Sequence, residues 1–189
     1  PDIDTDALNP SQLAAIEASF EQRLTLVQGP PGTGKTHTAV HMLKAWAQEG
    51  LGPILACADS NVAVDNLLEG LLKLGVSAVR LGQPVKVREH LREATLRARM
   101  EQHPQNEEIE YIRQHQNELM RNLDRAKGKE KGLTHRDIRQ GWKDIRKIED
   151  DIIEDIIERS EVICATCIGA GHRLLERKRF PLQLIDEAT

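Results

Sequence analysis

The eight residues from Gly29 to Thr36 constrain this chain more than any other part of its sequence. They read Gly-Pro-Pro-Gly-Thr-Gly-Lys-Thr, which fits the pattern G-x-x-x-x-G-K-[ST] at every fixed position. The apolar run Leu24–Val27 precedes them, and a helical pattern over Lys35–Gln48 follows. A strand, a glycine-rich loop and a helix in this order form the context in which the motif binds phosphate. A chance glycine-rich turn, the alternative interpretation, does not explain both flanks.

Each residue type in the motif has a chemical reason. Glycines let backbone N–H groups curve around phosphate oxygens, because no Cβ atom obstructs the approach. The start of the following helix adds a partial positive charge. Lys35 can reach the β- and γ-phosphates, which makes it a candidate catalytic residue, and the Thr36 hydroxyl can ligate Mg²⁺. The predicted nucleotide-binding residues of the loop are Gly29, Pro30, Pro31, Gly32, Thr33, Gly34, Lys35 and Thr36.

A second apolar run carries the acidic partner that a phosphate loop needs. Leu182–Ile185 leads into Asp186 and Glu187, so a predicted strand delivers two carboxylates at its C-terminal end. We expect Asp186 to hold Mg²⁺, directly or through water, and Glu187 to act as the general base for an attacking water. An ordinary polar strand end is the alternative. The adjacent acidic pair favours hydrolysis over phosphoryl transfer to a metabolite.

Composition limits the class of protein. The net charge of −4 gives no overall positive field that would indicate nucleic-acid binding, although a local basic groove remains possible. The three cysteines are an odd number, and no segment reads as a signal peptide, so we expect an intracellular, cytoplasmic or nuclear location. No apolar run reaches a membrane-spanning length, so no membrane partner is expected. The abrupt ends indicate a fragment of a longer protein.

The two ends of the chain read as one α/β domain. Short apolar segments alternate with helical patterns at Lys35–Gln48 and Asn61–Lys73, and a shorter helix is predicted at Pro10–Ala18. This alternation predicts a parallel sheet flanked by helices, with functional loops at the C-terminal ends of its strands. The predicted strands are Leu24–Val27, Pro53–Ala58, Ala78–Leu81, Val162–Ala165 and Leu182–Ile185.

The middle of the chain has a different composition. It is rich in charge, with as many basic as acidic residues, and its apolar residues follow a narrow helical seam. We expect two antiparallel helices, 104–126 and 134–159, joined at Gly128–Gly132 and projecting from the core. Residues 83–159 would then be an inserted helical hairpin subdomain within a domain formed by residues 1–82 and 160–189. The predicted seam consists of Ile109, Ile112, Leu119 and Leu123 with Gln116 in the middle place, and of Ile138, Trp142, Ile145, Ile152 and Ile156 with Glu149 as an interruption.

Five sequence blocks occur in a fixed order: Leu8–Gln12, Gln28–Thr36, Ala58–Leu67, Val162–Gly171 and Ile185–Thr189. Together they resemble the first RecA-like domain, a P-loop NTPase, of superfamily 1 helicases. The wordings Q-G-P-P-G-T-G-K-T and S-N-x-A-V-D are typical of the subgroup that contains the nonsense-mediated-decay helicase, senataxin and the immunoglobulin-μ-binding helicase. The resemblance covers nearly the whole chain, and its last block matches the acidic Walker B motif. The hairpin corresponds to a helical subdomain that is inserted in the decay helicase.

The resemblance implies roles for further residues. Gln12 matches the glutamine that reads the adenine edge, although from the residue alone a surface helix position would be preferred. Ser60 and Asn61 match a motif that holds the backbone of a nucleic-acid single strand, and a simple helix cap remains the alternative for them. Thr166 and Gly169 match a second backbone-contacting motif, whose small residues let a strand approach closely.

The resemblance also implies an activity. The chain would be the first motor domain of an ATP-dependent RNA or DNA helicase or translocase, with ATP and Mg²⁺ as cofactors. Its partners would be single-stranded nucleic acid, RNA favoured over DNA, and a second RecA-like domain that supplies an arginine finger. Because the chain ends at the acidic motif, we expect this fragment to bind ATP with little turnover. The alternative function is a nucleotide-gated scaffold whose helical hairpin docks a protein partner.

Overall fold

Four short apolar segments pair side by side into an all-parallel sheet flanked by helices, which confirms the predicted α/β fold class. The structure is a computed structural model that describes residues 7–82, 89–123, 127–176 and 178–188. In chain order its elements are α1 (Pro10–Glu21), α2 (Lys35–Gln48), β1 (Ile54–Ala58), α3 (Asn61–Lys73), β2 (Ala78–Arg80), α4 (Glu89–Arg92), α5 (Leu96–Glu101), α6 (Asn106–Leu123), α7 (Gly128–Glu158), β3 (Val162–Thr166), α8 (Cys167–Ala170) and β4 (Leu182–Asp186).

The order of the strands brings three loops to one edge of the sheet. The strands lie in the order β2-β3-β1-β4. The last residue of β1, Ala58, is in register with Thr166 of β3 on one side and with Asp186 of β4 on the other. Every residue of β1 is buried, as expected for a strand covered on both faces. The C-terminal residues of β3, β1 and β4 therefore lie side by side.

The apolar core lies between the sheet and helices α1–α3. Trp46 of α2 is buried, and its indole N–H donates to the Ser19 hydroxyl of α1 at 3.1 Å, which satisfies the polar atom of a buried aromatic ring. Helices α2 and α3 meet closely at Gly70, where an added Cβ would lie 2.7 Å from Cγ2 of Val40. This packing holds the N-terminal end of α2, and with it the phosphate loop, against the sheet.

One predicted strand is wrong. Residues 24–27 belong to no strand, and Leu24 and Leu26 are 73% and 85% exposed. The apolar run is typical of a strand, but a strand also needs a hydrogen-bonded neighbour. None of β1–β4 pairs with this run in the described chain. The segment enters the phosphate loop without pairing to any of these strands.

The chain divides into two compact units, residues 1–96 with 157–189 and residues 97–156. In the second unit, α6 and α7 run antiparallel. Their contacts show this, because Arg113 pairs with Glu149 at 3.1 Å while Gln116, further along α6, packs on Gly141, earlier in α7. The domain boundaries predicted at 83 and 160 stay a prediction.

The seam of this hairpin differs from the predicted one at a single residue position. Trp142 was predicted to face the seam, but its side chain is 41% exposed. Its neighbour Gly141 is buried instead, and an added Cβ there would lie 1.6 Å from Nε2 of Gln116. Gln116 is 2% exposed, and its Oε1 has no hydrogen-bond partner among the described residues. Gly141, which has no side chain, leaves space for the polar side chain of Gln116. The pattern of apolar residues does not reveal this packing.

The second helix of the hairpin also begins earlier than predicted. The segment Gly128–Gly132 was predicted to join the two helices, but it forms the first turn of α7. Lysine and glutamate are good helix formers, and they outweigh the cost of the interior glycines Gly132 and Gly141 in a helix of 31 residues. Residues 124–126, the end of the first predicted helix, lie outside the described residues. None of the helices in the described ranges is long and apolar enough to cross a membrane.

Candidate nucleotide and nucleic-acid site

The phosphate loop is shaped by glycines in left-handed backbone conformations. Gly32 and Gly34 have φ angles of +81° and +82°, which are costly for residues that carry a Cβ. Gly34 is the N-cap of α2, so Lys35 and Thr36 begin the helix. The loop therefore ends at the positive end of the α2 dipole, as the sequence predicts.

The lysine of the motif lies over its own loop. Lys35 Nζ donates to the carbonyl oxygens of Gly29 at 2.8 Å and Pro30 at 3.0 Å. The Thr33 hydroxyl donates to the same Pro30 carbonyl at 2.8 Å. These bonds hold the ammonium group against the first two residues of the loop.

Gln12 lies against the phosphate loop although 17 residues of sequence separate it from Gly29. It belongs to a capping box at the start of α1, in which its backbone N–H donates to Asn9 Oδ1 at 3.0 Å and its Oε1 accepts from the Asn9 backbone at 2.9 Å. Its Nε2 donates to the carbonyl of Thr33 at 3.3 Å. Gln12 thus caps a helix and also contacts the loop, so the two interpretations of this residue are compatible.

The acidic strand end meets the threonine of the loop. Thr36 Oγ1 donates to Asp186 Oδ2 at 3.0 Å, across 150 residues of sequence. A hydroxyl and a carboxylate are hard oxygen ligands of the kind that Mg²⁺ takes in nucleotide sites, so the pair fits that ion. Glu187 is exposed, and its backbone has a φ of +58°, the one left-handed value among the described residues other than glycine. Its N–H donates to Asp186 Oδ1 at 3.1 Å, which orients the carboxylate from the other side.

Two further loops at this sheet edge start with a side-chain cap. Ser60 follows β1, and its Oγ accepts from the N–H of Ala63 at 3.1 Å. Thr166 ends β3, and its Oγ1 accepts from the N–H of Gly169 at 2.9 Å. The capping alternative is therefore realised for Ser60, and Thr166 forms a cap of the same kind. The caps also fix the first turns of α3 and α8, in which Asn61 and Gly169 lie.

A buried arginine next to Asn61 was missed by the sequence reasoning. Arg80, at the end of β2, is 0% exposed, and its Nη2 donates to Asn61 Oδ1 at 2.8 Å. Its Nε forms a short hydrogen bond to Asp65, and its Nη1 donates to the Leu81 carbonyl at 3.1 Å. Two signals could have revealed it: a cation inside an apolar strand, and the i, i+4 spacing of Asn61 and Asp65 on one helix face.

The cysteines do not form a metal site. Burial raises the pKa of the Cys57 thiol to about 11, with Cys167 adding to the rise. Burial likewise raises the pKa of Cys164 to about 12. Cys167 is exposed. Across the described residues, no group of three cysteine, histidine or acidic side chains is arranged to hold a metal ion.

Comparison with known proteins identifies the family. A family model described as "AAA domain" matches residues 7–189. The chain is 34% identical over 184 residues to the DNA polymerase alpha-associated DNA helicase A of Schizosaccharomyces pombe, covering 96% of this chain and 28% of that protein. It is 34% identical over 182 residues to the ATP-dependent helicase NAM7 of Saccharomyces cerevisiae, covering 96% of this chain and 17% of that protein. A regulator of nonsense transcripts 1 homolog of Arabidopsis thaliana is 32% identical over 182 residues, covering 96% of this chain and 14% of that protein.

The chain thus spans less than a third of the length of these relatives. The match nevertheless runs through the phosphate loop, the S-N-x-A-V-D block and the acidic strand end, on a sheet whose topology brings these blocks together. The chain belongs to the AAA domain family, in the superfamily 1 branch that contains the nonsense-mediated-decay helicases.

Proposed function

We propose that this chain is the first motor domain of an ATP-dependent nucleic-acid helicase or translocase. One observation carries the proposal: Ala58 lies in register with Thr166 and Asp186, so one sheet edge carries both the nucleotide site and the candidate strand-binding loops. A motor that converts ATP hydrolysis into movement needs these two sites on one rigid element, because a change in the bound nucleotide has to alter the affinity for the strand.

In this proposal, the phosphate loop binds the phosphates of ATP and the Lys35 ammonium moves from its loop carbonyls to the β- and γ-phosphate oxygens. Thr36 and Asp186 would hold Mg²⁺, which offsets phosphate charge when it is bound. Gln12 is proposed to read the adenine edge, because an amide can donate and accept at once. Its position against Thr33 supports this role.

Glu187 is the proposed general base. It directly follows the carboxylate that meets Thr36, and it is exposed to solvent, so a water could lie between it and a bound γ-phosphate. In the full-length protein, Glu187→Gln should keep ATP affinity while hydrolysis falls at least about 10²-fold, as loss of a general base implies. A variant with normal turnover would show that another group activates the water.

The strand-binding loops are proposed to contact sugar and phosphate and not bases, because a motor has to move over any sequence. Ser60 and Thr166 are the N-caps that follow β1 and β3, and Asn61 and Gly169 lie in the first turns of the helices that they cap. Asn61→Ala should weaken binding of different single-stranded sequences about equally, and binding should fall with salt. A loss confined to one sequence would contradict the proposal.

RNA is proposed ahead of DNA as the strand. The names of the relatives include both a regulator of nonsense transcripts and a DNA helicase, so both substrates have to be compared. Matched RNA and DNA oligonucleotides of the same sequence differ chiefly by the 2′-hydroxyl and thus test this point. Weaker binding of the RNA would overturn the preference and leave the motor proposal intact.

We further propose that the 189-residue segment alone binds ATP with little turnover, because an arginine supplied from elsewhere strongly accelerates phosphoryl transfer. The alternative function, a nucleotide-gated scaffold, is favoured by one observation. The hairpin unit exposes several large apolar side chains, namely Tyr111, Met120, Leu133 and Trp142, that could meet a protein partner. Stimulation of ATP hydrolysis by nucleic acid distinguishes the two functions.

A further inference from the structure

A charged side chain is completely buried beside the candidate strand-binding loop. Arg80 ends β2, a strand whose other residues are apolar, and none of its surface is exposed. A buried guanidinium is costly unless its donors are satisfied. Each of its three nitrogens has an acceptor here: Asp65, Asn61 or the Leu81 carbonyl.

The spacing of the S-N-x-A-V-D block explains two of these contacts. Asn61 is the first residue of α3 after the Ser60 cap, and Asp65 follows one turn later. Side chains four residues apart lie on the same helix face. Both therefore point to the same side of α3, and one planar guanidinium reaches both through Nη2 and Nε.

This contact determines how the Asn61 amide is oriented. A guanidinium has only donors, so the atom of Asn61 that faces Arg80 has to be the oxygen. The amide nitrogen, with its two N–H donors, is then directed away from Arg80. Within the described part of the chain, that nitrogen has no hydrogen bond, and Asn61 is half-buried at the edge where β1 ends.

We propose that Arg80 is a positioning residue that holds Asn61 as a donor toward the phosphates of a bound single strand. The inference rests on the proposed function and identifies the chemistry of its strand site. An asparagine that is free to rotate can present either its oxygen or its nitrogen, and the oxygen would repel a phosphate. With Arg80 on the oxygen, only donors face the strand. Arg80 also neutralises Asp65, whose carboxylate would otherwise add negative charge next to the phosphate path.

The test has to separate positioning from simple charge balance in the fold. Arg80→Met alone leaves Asp65 unpaired and can destabilise the chain. The double variant Arg80→Met/Asp65→Leu removes both charges, and replacing a buried ion pair by apolar residues is often neutral for stability. It also removes the contact on the Asn61 oxygen while keeping Asn61 itself. Thermal unfolding and Mg–ATP affinity, which should both match those of the wild-type chain, show that the fold and the nucleotide site are intact.

Strand affinity is measured by fluorescence anisotropy with a mixed-sequence single-stranded oligonucleotide. We expect the double variant to bind about 10-fold or more weakly, as loss of one hydrogen bond to a charged group implies. Adding Asn61→Ala to it should cause little further loss, because Arg80 acts through Asn61. A stable double variant with wild-type strand affinity would overturn the positioning role alone. Absence of strand binding by the wild-type chain would overturn the proposed function and this inference together.

Discussion

At the scale of single residues, the proposed nucleotide site is a set of short polar contacts between residues that lie far apart in the sequence. Lys35 lies over the carbonyls of its own loop, and Thr36 contacts Asp186. The sequence predicts the loop residues, because the motif specifies their types and spacing, but it does not predict the hydrogen bond between Thr36 and Asp186. For Arg80 the sequence offers only two signals, a cation in an apolar strand and the i, i+4 spacing of Asn61 and Asp65. It does not show that these side chains meet, because their contact depends on how β2 packs against α3.

The first prediction concerns Lys35. Lys35→Ala should lower affinity for ATP and ADP by about 10- to 100-fold, the usual effect of removing a hydrogen-bonded charge. Isothermal titration calorimetry on the 189-residue chain measures this. Lys44→Ala, in the same helix but outside the loop, is the matched control and should bind normally. Equal affinities of the two variants would contradict the proposed site.

The second prediction concerns the three thiols. Near pH 8 only Cys167 should react quickly with a thiol reagent, because it is exposed while burial raises the pKa of Cys57 to about 11 and of Cys164 to about 12. One fast thiol is expected in the native chain, three in denaturant and none in native Cys167→Ser. Two fast thiols in the native chain would show that β1 or β3 opens.

The same pKa shifts predict how stability depends on pH. The folded pKa of both buried thiols is above the ordinary value of 9.0, so their contribution to stability is complete below pH 9. It is lost as pH rises from 9 through 11 and 12, because the unfolded thiols ionise first. Denaturant midpoints at pH 8 and pH 10 measure the loss, and Cys57→Ala should reduce it.

At the scale of elements, the hairpin shows what apolar periodicity can and cannot predict. The buried residues Ile109, Ile145 and Ile152 were predicted on the seam, while Trp142 was placed there in error. A search for periodic apolar residues gives more importance to a large side chain, so it assigns Trp142 and not the adjacent Gly141 to the seam. The contact of Gly141 with Gln116 depends on the distance between two helices, which a single helix pattern does not contain. The strand predicted at residues 24–27 is wrong for a similar reason, because an apolar run does not show whether a neighbouring strand is present to pair with it.

The third prediction compares two glycines of α7. At Gly132 an added Cβ meets nothing within 4 Å, so Gly132→Ala should stabilise the helix by about 0.5–1 kcal/mol. At Gly141 the same change strikes Gln116, so it should be less favourable than Gly132→Ala by at least about 1 kcal/mol, the lower range for overpacking.

Chemical unfolding followed by far-ultraviolet circular dichroism measures both variants. The change Gln116→Ala should relieve the strain in the Gly141→Ala background and thereby give a coupling between the two sites. If Gly141→Ala stabilises as much as Gly132→Ala, the packing of Gln116 on Gly141 is wrong.

At the scale of the whole molecule, the α/β unit contains its own core. The cluster of buried apolar residues draws on the sheet, α1–α4 and nearby connections, and none of its members lies within residues 97–156. The parallel sheet follows from the alternation of strands and helices in the sequence. The strand order does not follow from it, because it depends on which strands meet in three dimensions. That order brings Ala58 into register with Thr166 and Asp186.

The fourth prediction follows from this division. Replacing residues 97–156 by a glycine–serine linker should leave the α/β unit folded, with unchanged ATP affinity and a cooperative thermal transition, because its core is complete without them. Strand affinity, or its dependence on ATP, should change if the hairpin contacts nucleic acid. Global unfolding of the deletion variant would show that the hairpin supports the core.

The helicase or translocase proposal depends most on whether strand and nucleotide sites are coupled. The decisive measurement is the rate of ATP hydrolysis by the full-length protein with and without single-stranded nucleic acid, in wild type and in Glu187→Gln. We predict that the strand raises the wild-type rate at saturating ATP and that the variant stays at least about 10²-fold slower in both conditions, as loss of the general base implies. A wild-type rate that does not respond to nucleic acid would contradict the motor proposal and favour the nucleotide-gated scaffold.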